Sequence, residues 1–167
     1  MKKAVVLLSG GLDSTTCLFW AKKRGYKPIA LSVRYGQRHV KELAAARAVA
    51  RRAAVPLHEV ELSLPWLSTA SSLVDKSRRL PSLPLGKIGT GGIPSTYVPG
   101  RNTMFLSLAV SLADAVNASA IVIGANALDY SGYPDCRPPF IDAFKKVAKE
   151  GTKRGAEGGS PVGRWFV

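Results

Sequence analysis

Cysteine is nearly absent from this chain. Cys17 and Cys136 are its two thiols, and no CxxC or Cys/His spacing of a metal knot occurs. That excludes a disulfide framework as the organising principle and points to a reducing, cytoplasmic setting. Acidic residues are scarce as well, 11 against 24 basic ones, for a formal net charge of +13. Such a balance suits a polyanionic partner, nucleotide phosphates or a nucleic acid, and equally a solvated basic surface. The basic residues are spread along the chain without aromatic interleaving, so an RNA-stacking surface is not indicated and nucleic acid is not the expected partner. Also missing is any apolar run near the roughly 20 residues of a membrane span. Met1-Lys2-Lys3 followed by Ala4–Leu8 imitates a signal peptide. Its apolar stretch, however, is short of the roughly 7–15 residues of a secretory h-region. Ser9-Gly10-Gly11 follows at once, so a buried strand is the better reading.

What is present has the length of one ordinary domain. Ala4–Leu8 is a continuous apolar run ending in Ser-Gly-Gly, as a strand buried on both faces does. A helix is predicted over Ser14–Arg24, closed by Gly25, then a strand over Pro28–Val33 and a long helix over Gln37–Ala54. Pro56–Leu62 alternates as a third strand, Arg101–Asn117 returns as an apolar helix, and Ala120–Ile123 is a fourth strand. A last amphipathic helix is predicted over Pro138–Arg154. Between Ser63 and Pro99 repeated Pro and Gly break every periodicity, the texture of a lid or an unstructured loop. The order strand, helix, strand, helix predicts an α/β fold. This is a doubly wound, mostly parallel sheet with helices on both faces, in which ligands sit beyond the carboxyl ends of the strands. Residues 1–155 form that domain, and 156–167 a divergent tail without a packed element.

The segment with the most chemical content is Ser9-Gly10-Gly11-Leu12-Asp13-Ser14-Thr15-Thr16, between the first strand and first helix. Paired glycines let the backbone approach a ligand, and N–H groups at a helix start attract an anion. Hydroxyls of Ser9, Ser14 and Thr15 add donors. The loop has no lysine and no GxxxxGK[ST], so it is not the loop of γ-phosphoryl transfer, and it lacks GxGxxG. The plain alternative is a glycine-rich turn with Asp13 and Ser14 as helix caps.

SGGLDS resembles the PP-loop of the ATP pyrophosphatase class, an adenine nucleotide alpha-hydrolase-like, Rossmann-like fold. The resemblance implies ATP binding through Leu8, Ser9, Gly10, Gly11, Leu12, Asp13, Ser14, Thr15, Thr16 and Arg101, with Asp13 holding Mg²⁺ beside the phosphates. Three more segments, Tyr35-Gly36-Gln37-Arg38-His39, Val98-Pro99-Gly100-Arg101-Asn102 and Asp129-Tyr130-Ser131-Gly132-Tyr133-Pro134-Asp135-Cys136-Arg137, resemble signatures of the 7-cyano-7-deazaguanine synthase family. That family resemblance implies a ligase of queuosine biosynthesis. ATP adenylates the carboxylate of 7-carboxy-7-deazaguanine, ammonia gives the amide, and a second ATP drives dehydration to the nitrile.

It also implies substrate contacts at Tyr35, Gln37, Arg38, Asn102, Asp129, Tyr130, Ser131, Gly132, Tyr133, Asp135 and Arg137, and catalytic roles for Asp13, Arg101 and Arg137. A planar deazapurine wants a flat surface and polar edges, which Tyr130, Tyr133, Ser131 and Asp135 can offer. Arg101 or Arg137 can grip a carboxylate or an α-phosphate. Plainer readings stay open: a turn at Gly132–Asp135, a helix cap at Asn102, a structural His39, and packing for Cys17 and Cys136. Family members carry a four-cysteine Zn²⁺ site whose ligands are missing here, so the chain is expected to be shortened at its C-terminus. Oligomeric state is left open, a homodimer among the options. Two other functions compete: a PP-loop enzyme modifying tRNA, and a non-catalytic nucleotide-binding fragment.

Overall fold

The computed structural model describes residues 1–36, 40–67, 70–75, 93–125, 133–157 and 164–166, with 40–41 and 164–166 described by backbone alone. Among these residues five parallel strands form one sheet in the order β3-β2-β1-β4-β5. They are β1 (Lys3–Leu7), β2 (Lys27–Arg34), β3 (Leu57–Glu61), β4 (Ala120–Val122) and β5 (Arg164–Phe166). Between them lie the helices α1 (Leu12–Lys23), α2 (Val40–Ala53), α3 (Arg101–Ala115), α4 (Pro138–Glu150) and the single turn α5 (Lys153–Ala156).

Alternation along β1 explains the layers. Ala4, Val6 and Leu8 point to one face, where Leu18 and Ala21 of α1 and Ala46, Ala50 and Ala53 of α2 cover them. Val5 and Leu7 point to the other, against Leu106, Ala109 and Ala113 of α3 and Ile141 and Phe144 of α4. A strand buried on both sides needs apolar residues at every position, which is why Ala4–Leu8 reads as an unbroken run. β1 pairs with β2 on one side and β4 on the other. The chain therefore winds both ways from β1, and its switch point is the gap beyond the ends of β1 and β4.

α2 is alanine-rich for a steric reason. Gly10 has φ +85°, and a Cβ placed on it would lie 2.5 Å from the Ala46 backbone nitrogen and 2.7 Å from the Ala45 Cβ. The loop after β1 and the helix α2 are in direct backbone contact there, and only small residues allow it. At the sheet edge, Arg47 of α2 grips Glu59 of β3 with two hydrogen bonds of 2.6 and 2.7 Å.

Two expectations are corrected. The last helix does not run to Arg154: it stops at Glu150, and α5 starts anew at Lys153. Thr152 makes the break, with its Oγ1 donating to the Ala148 carbonyl at 2.8 Å and accepting from the Gly155 N–H at 3.2 Å. A side chain at 155 would collide with the Lys149 carbonyl, so glycine permits the chain to fold back on α4. The tail also contains a packed element, because Arg164–Phe166 pairs with Ala120–Val122 as β5. The open edge of β4 offers unpaired N–H and C=O groups, and an Arg-Trp-Phe segment has the propensity to take them.

The described parts of the 63–99 connection are ordered packing. Pro65–Leu67 is a 3-10 turn, and Leu67 forms a small core with Tyr35 and Val98. The Ser72 N–H and Oγ both donate to the Ser95 carbonyl, at 3.0 and 3.2 Å, which stitches its two arms together. Among the described residues no helix is long and apolar enough to cross a membrane.

Candidate functional site

A cleft of about 340 Å³ opens at the carboxyl ends of β1, β2 and β4, where a doubly wound sheet holds its ligand. One wall is the loop after β1. Here Gly11 takes the N-cap position of α1, not Asp13 or Ser14, and the latter two lie in the first helical turn. The Ser14 Oγ donates to the Gly11 carbonyl at 3.1 Å and accepts from the Ser9 N–H at 3.2 Å. Ser14 has one proton, so the 3.1 Å contact between the two hydroxyls is donated by Ser9, whose oxygen also receives the Gly11 N–H at 3.3 Å. These bonds curl the loop tightly, with Leu8, Ser9 and Ser14 on the cleft wall. The N–H groups of Leu12, Asp13 and Ser14 begin the helix ahead of any i−4 carbonyl. Asp13, Leu12 and Thr16 are exposed, Thr15 is half-buried, and the Thr16 Oγ1 donates to the Leu12 carbonyl at 2.9 Å.

Gly124, just past β4, closes the switch point. A Cβ there would stand 3.3 Å from both the Asp13 Cβ and the Cys17 Sγ. Burial pushes the Cys17 thiol above its ordinary pKa, and the Asp13 carboxylate adds to the rise. Cys17 is therefore a poor nucleophile at neutral pH. Alkylation by iodoacetamide at pH 7.5 is expected to be slower than that of a free thiol, and faster in Asp13→Asn, which removes one cause of the shift. Equal rates in both proteins would refute the coupling.

The opposite wall is the start of α3. Arg101, its first residue, lines the cleft, hydrogen-bonds Tyr35 and lies 5.9 Å from the centre of the Tyr133 ring. Burial raises the Tyr35 pKa, an effect the Arg101 charge and hydrogen bond oppose. Tyr133 is held in turn by a 2.6 Å bond between its hydroxyl and Thr96 and by the Tyr97 ring at 6.1 Å. Arg101, Tyr35, Asn102 and Tyr133 are thus brought together as the sequence suggested.

Two signature residues act on the protein itself. Asn102 is not the cap of α3. The cap is Gly100 at φ +64°, which has no side chain to offer, and the Asp135 carboxylate substitutes for it by accepting the Asn102 N–H at 2.9 Å. The Asn102 Nδ2 donates to the Asp135 carbonyl at 2.9 Å and the Cys136 Sγ at 3.2 Å. All three residues are buried. Arg137 is exposed, with its Nε donating to the Pro134 carbonyl at 3.2 Å, and it does not line the cleft. Gln37, Arg38, His39, Asp129, Tyr130, Ser131 and Gly132 lie outside the described residues. Sequence reasoning missed Glu42, Leu73 and Phe105 on the cleft wall. Glu42 carries the signal of an ordinary first-turn acid, and the other two that of packing residues.

The fold defines the class: a doubly wound, parallel α/β protein of the Rossmann-like type. A solved structure described as a predicted subunit of tRNA methyltransferase from Methanocaldococcus jannaschii shares this fold, with a TM-score of 0.55 and 18% identity over 87% of this chain and 63% of its own. The family is narrower. The model of the queuosine biosynthesis protein QueC matches residues 3–164, and the chain belongs to that family. It is 54% identical over 162 residues to the 7-cyano-7-deazaguanine synthase of Synechococcus elongatus, covering 96% of this chain and 68% of that protein. It is 53% identical to the same-named protein of Coxiella burnetii, covering 96% and 69%, and 52% identical to that of Leptospira interrogans, covering 95% and 64%.

Proposed function

We propose that this chain is an ATP-dependent carbon–nitrogen ligase that turns 7-carboxy-7-deazaguanine and ammonia into 7-cyano-7-deazaguanine by way of an adenylated carboxylate. The observation that carries the reading is the Ser9–Ser14 loop, seated at the sheet's switch point and facing Arg101 across one cleft. The helix-start N–H groups and the hydroxyls of the loop suit a pyrophosphate leaving group. Arg101 is aimed to neutralise charge at the α-phosphate or substrate carboxylate, and its contacts with Tyr35 and Tyr133 fix its position before substrate arrives. Tyr133 offers a flat face beside it. Positioning and charge neutralisation do most of the catalytic work in such a site.

Asp13 fits a role as Mg²⁺ ligand, because its carboxylate is exposed at the first turn of the loop helix. When bound, Mg²⁺ would neutralise the pyrophosphate charge. Zinc does not fit. The two cysteines pack on opposite faces of the sheet, and among the described residues no cluster of three or more His, Cys, Asp or Glu side chains could hold a metal. In this reading the enzyme works in a reducing cytoplasm, where both cysteines stay reduced.

Mass spectrometry of the product formed from ATP, Mg²⁺, ammonia and 7-carboxy-7-deazaguanine tests the proposal. The nitrile is expected from the wild-type chain and not from Asp13→Ala. Nucleotide binding without pyrophosphate release would leave a nucleotide-binding fragment, and modification of tRNA in place of the deazaguanine would make it a tRNA enzyme.

A further inference from the structure

The cleft has one carboxylate among its described lining residues, that of Glu42 in the first turn of α2. Its described cations are Arg34 and Arg101, and Arg34 is ion-paired with Glu61 on the neighbouring strand. Arg101 meets no described acid. The Glu42 carboxylate takes no hydrogen bond from a described side chain, so neither charge is spent on the other. Both act on the hydroxyl of Tyr35, which Arg101 hydrogen-bonds and whose ionisation the Glu42 charge opposes. An acid, a cation and a buried phenol therefore share the lining of one cavity of about 340 Å³, room enough for a flat bicyclic ligand.

A ligand matched to this polarity has hydrogen-bond donors at one end and an anion at the other. A 2-amino-4-oxopyrimidine ring presents two N–H donors side by side, at its ring nitrogen and its exocyclic amine. An ionised carboxylate accepts two such donors at once, whereas a neutral amide can accept through one oxygen only. We infer that Glu42 is the specificity residue of the cleft, its two oxygens accepting the paired N–H donors of the deazaguanine edge while Arg101 faces the anionic end. This inference rests on the synthase reading and names the residue that selects the substrate's base. A first-turn glutamate also stabilises a helix through its dipole, and that role acts on melting temperature without discriminating between ligands.

Calorimetric titration of two ligands into wild-type protein and Glu42→Gln separates these roles. The ligands are 7-carboxy-7-deazaguanine and the analogue lacking its 2-amino group. The wild type is expected to prefer the amino compound by roughly 10- to 100-fold, the range of a hydrogen bond to a charged group. Glu42→Gln is expected to bring the two affinities within about threefold of each other and to leave ATP affinity unchanged. A preference that survives Glu42→Gln overturns the inference, whether or not the variant melts earlier. So does a loss of ATP affinity with the preference intact, which would assign Glu42 to the nucleotide. If the wild type binds neither compound, the synthase reading falls together with this one, whereas binding with an unaltered preference removes this inference alone.

Discussion

Gly10→Ala is expected to lower the melting temperature by about 5–15 °C, while Gly11→Ala shifts it by no more than about 2 °C. The two glycines are adjacent, but their surroundings differ. At Gly10 the backbone has φ +85°, where an L side chain costs about 1–2 kcal/mol, and the added methyl group strikes Ala45 and Ala46 at 2.5–2.8 Å. Relieving that overlap means moving α2 off the sheet, an overpacking cost of about 1–3 kcal/mol. At Gly11 φ is −73°, and a Cβ meets only the Ser9 hydroxyl at 3.4 Å. Differential scanning calorimetry of both variants settles the matter. Equal shifts would mean that the backbone contact with α2 does not govern the loop.

Asp135→Ala should reduce kcat/KM by roughly 10- to 100-fold although Asp135 does not line the main cleft. The substitution removes the acceptor from the Asn102 N–H, and a buried donor left without a partner costs about 1–3 kcal/mol. Gly100 has no side chain to replace it. The first turn of α3 then frays, and Arg101 is the residue at its tip. Asp135→Asn retains an oxygen in the same place and should recover most of both stability and turnover. Steady-state kinetics alongside thermal melts distinguish this from a direct substrate contact, in which Asn would fail as badly as Ala while the melting temperature stayed unchanged.

The strands were readable because burial on both faces demands continuous apolar sequence, as in Ala4–Leu8 and Ala120–Ile123. The loop after β1 was readable because its chemistry is local: glycines and hydroxyls act within six residues. Pairings across long separations were not. Asp135 reaches Asn102 from 33 positions away, and nothing in either neighbourhood marks one as the cap of the other. Glu42 looks like any acid in a first helical turn, and its place on the cleft depends on how α2 crosses the sheet. The end of α4 was misread because a Lys/Arg-rich run continues through Gly151-Thr152, and the threonine's double hydrogen bond is invisible to periodicity. β5 was misread because a three-residue strand has no pattern of its own; the open side of β4 supplies the template.

The position of β5 also sets an order of events during synthesis. Every described residue that lines the cleft precedes Arg137, so the ligand-binding end leaves the ribosome ahead of α4 and β5. β4 must wait with one edge bare until Arg164–Phe166 emerges, and an unpaired edge is a template for strands of other chains. The nascent chain is thus most exposed to aggregation over the interval between the emergence of β4 and that of β5. A ligand seated early in the cleft would bridge the ends of β1 and β4 but would not cover that edge.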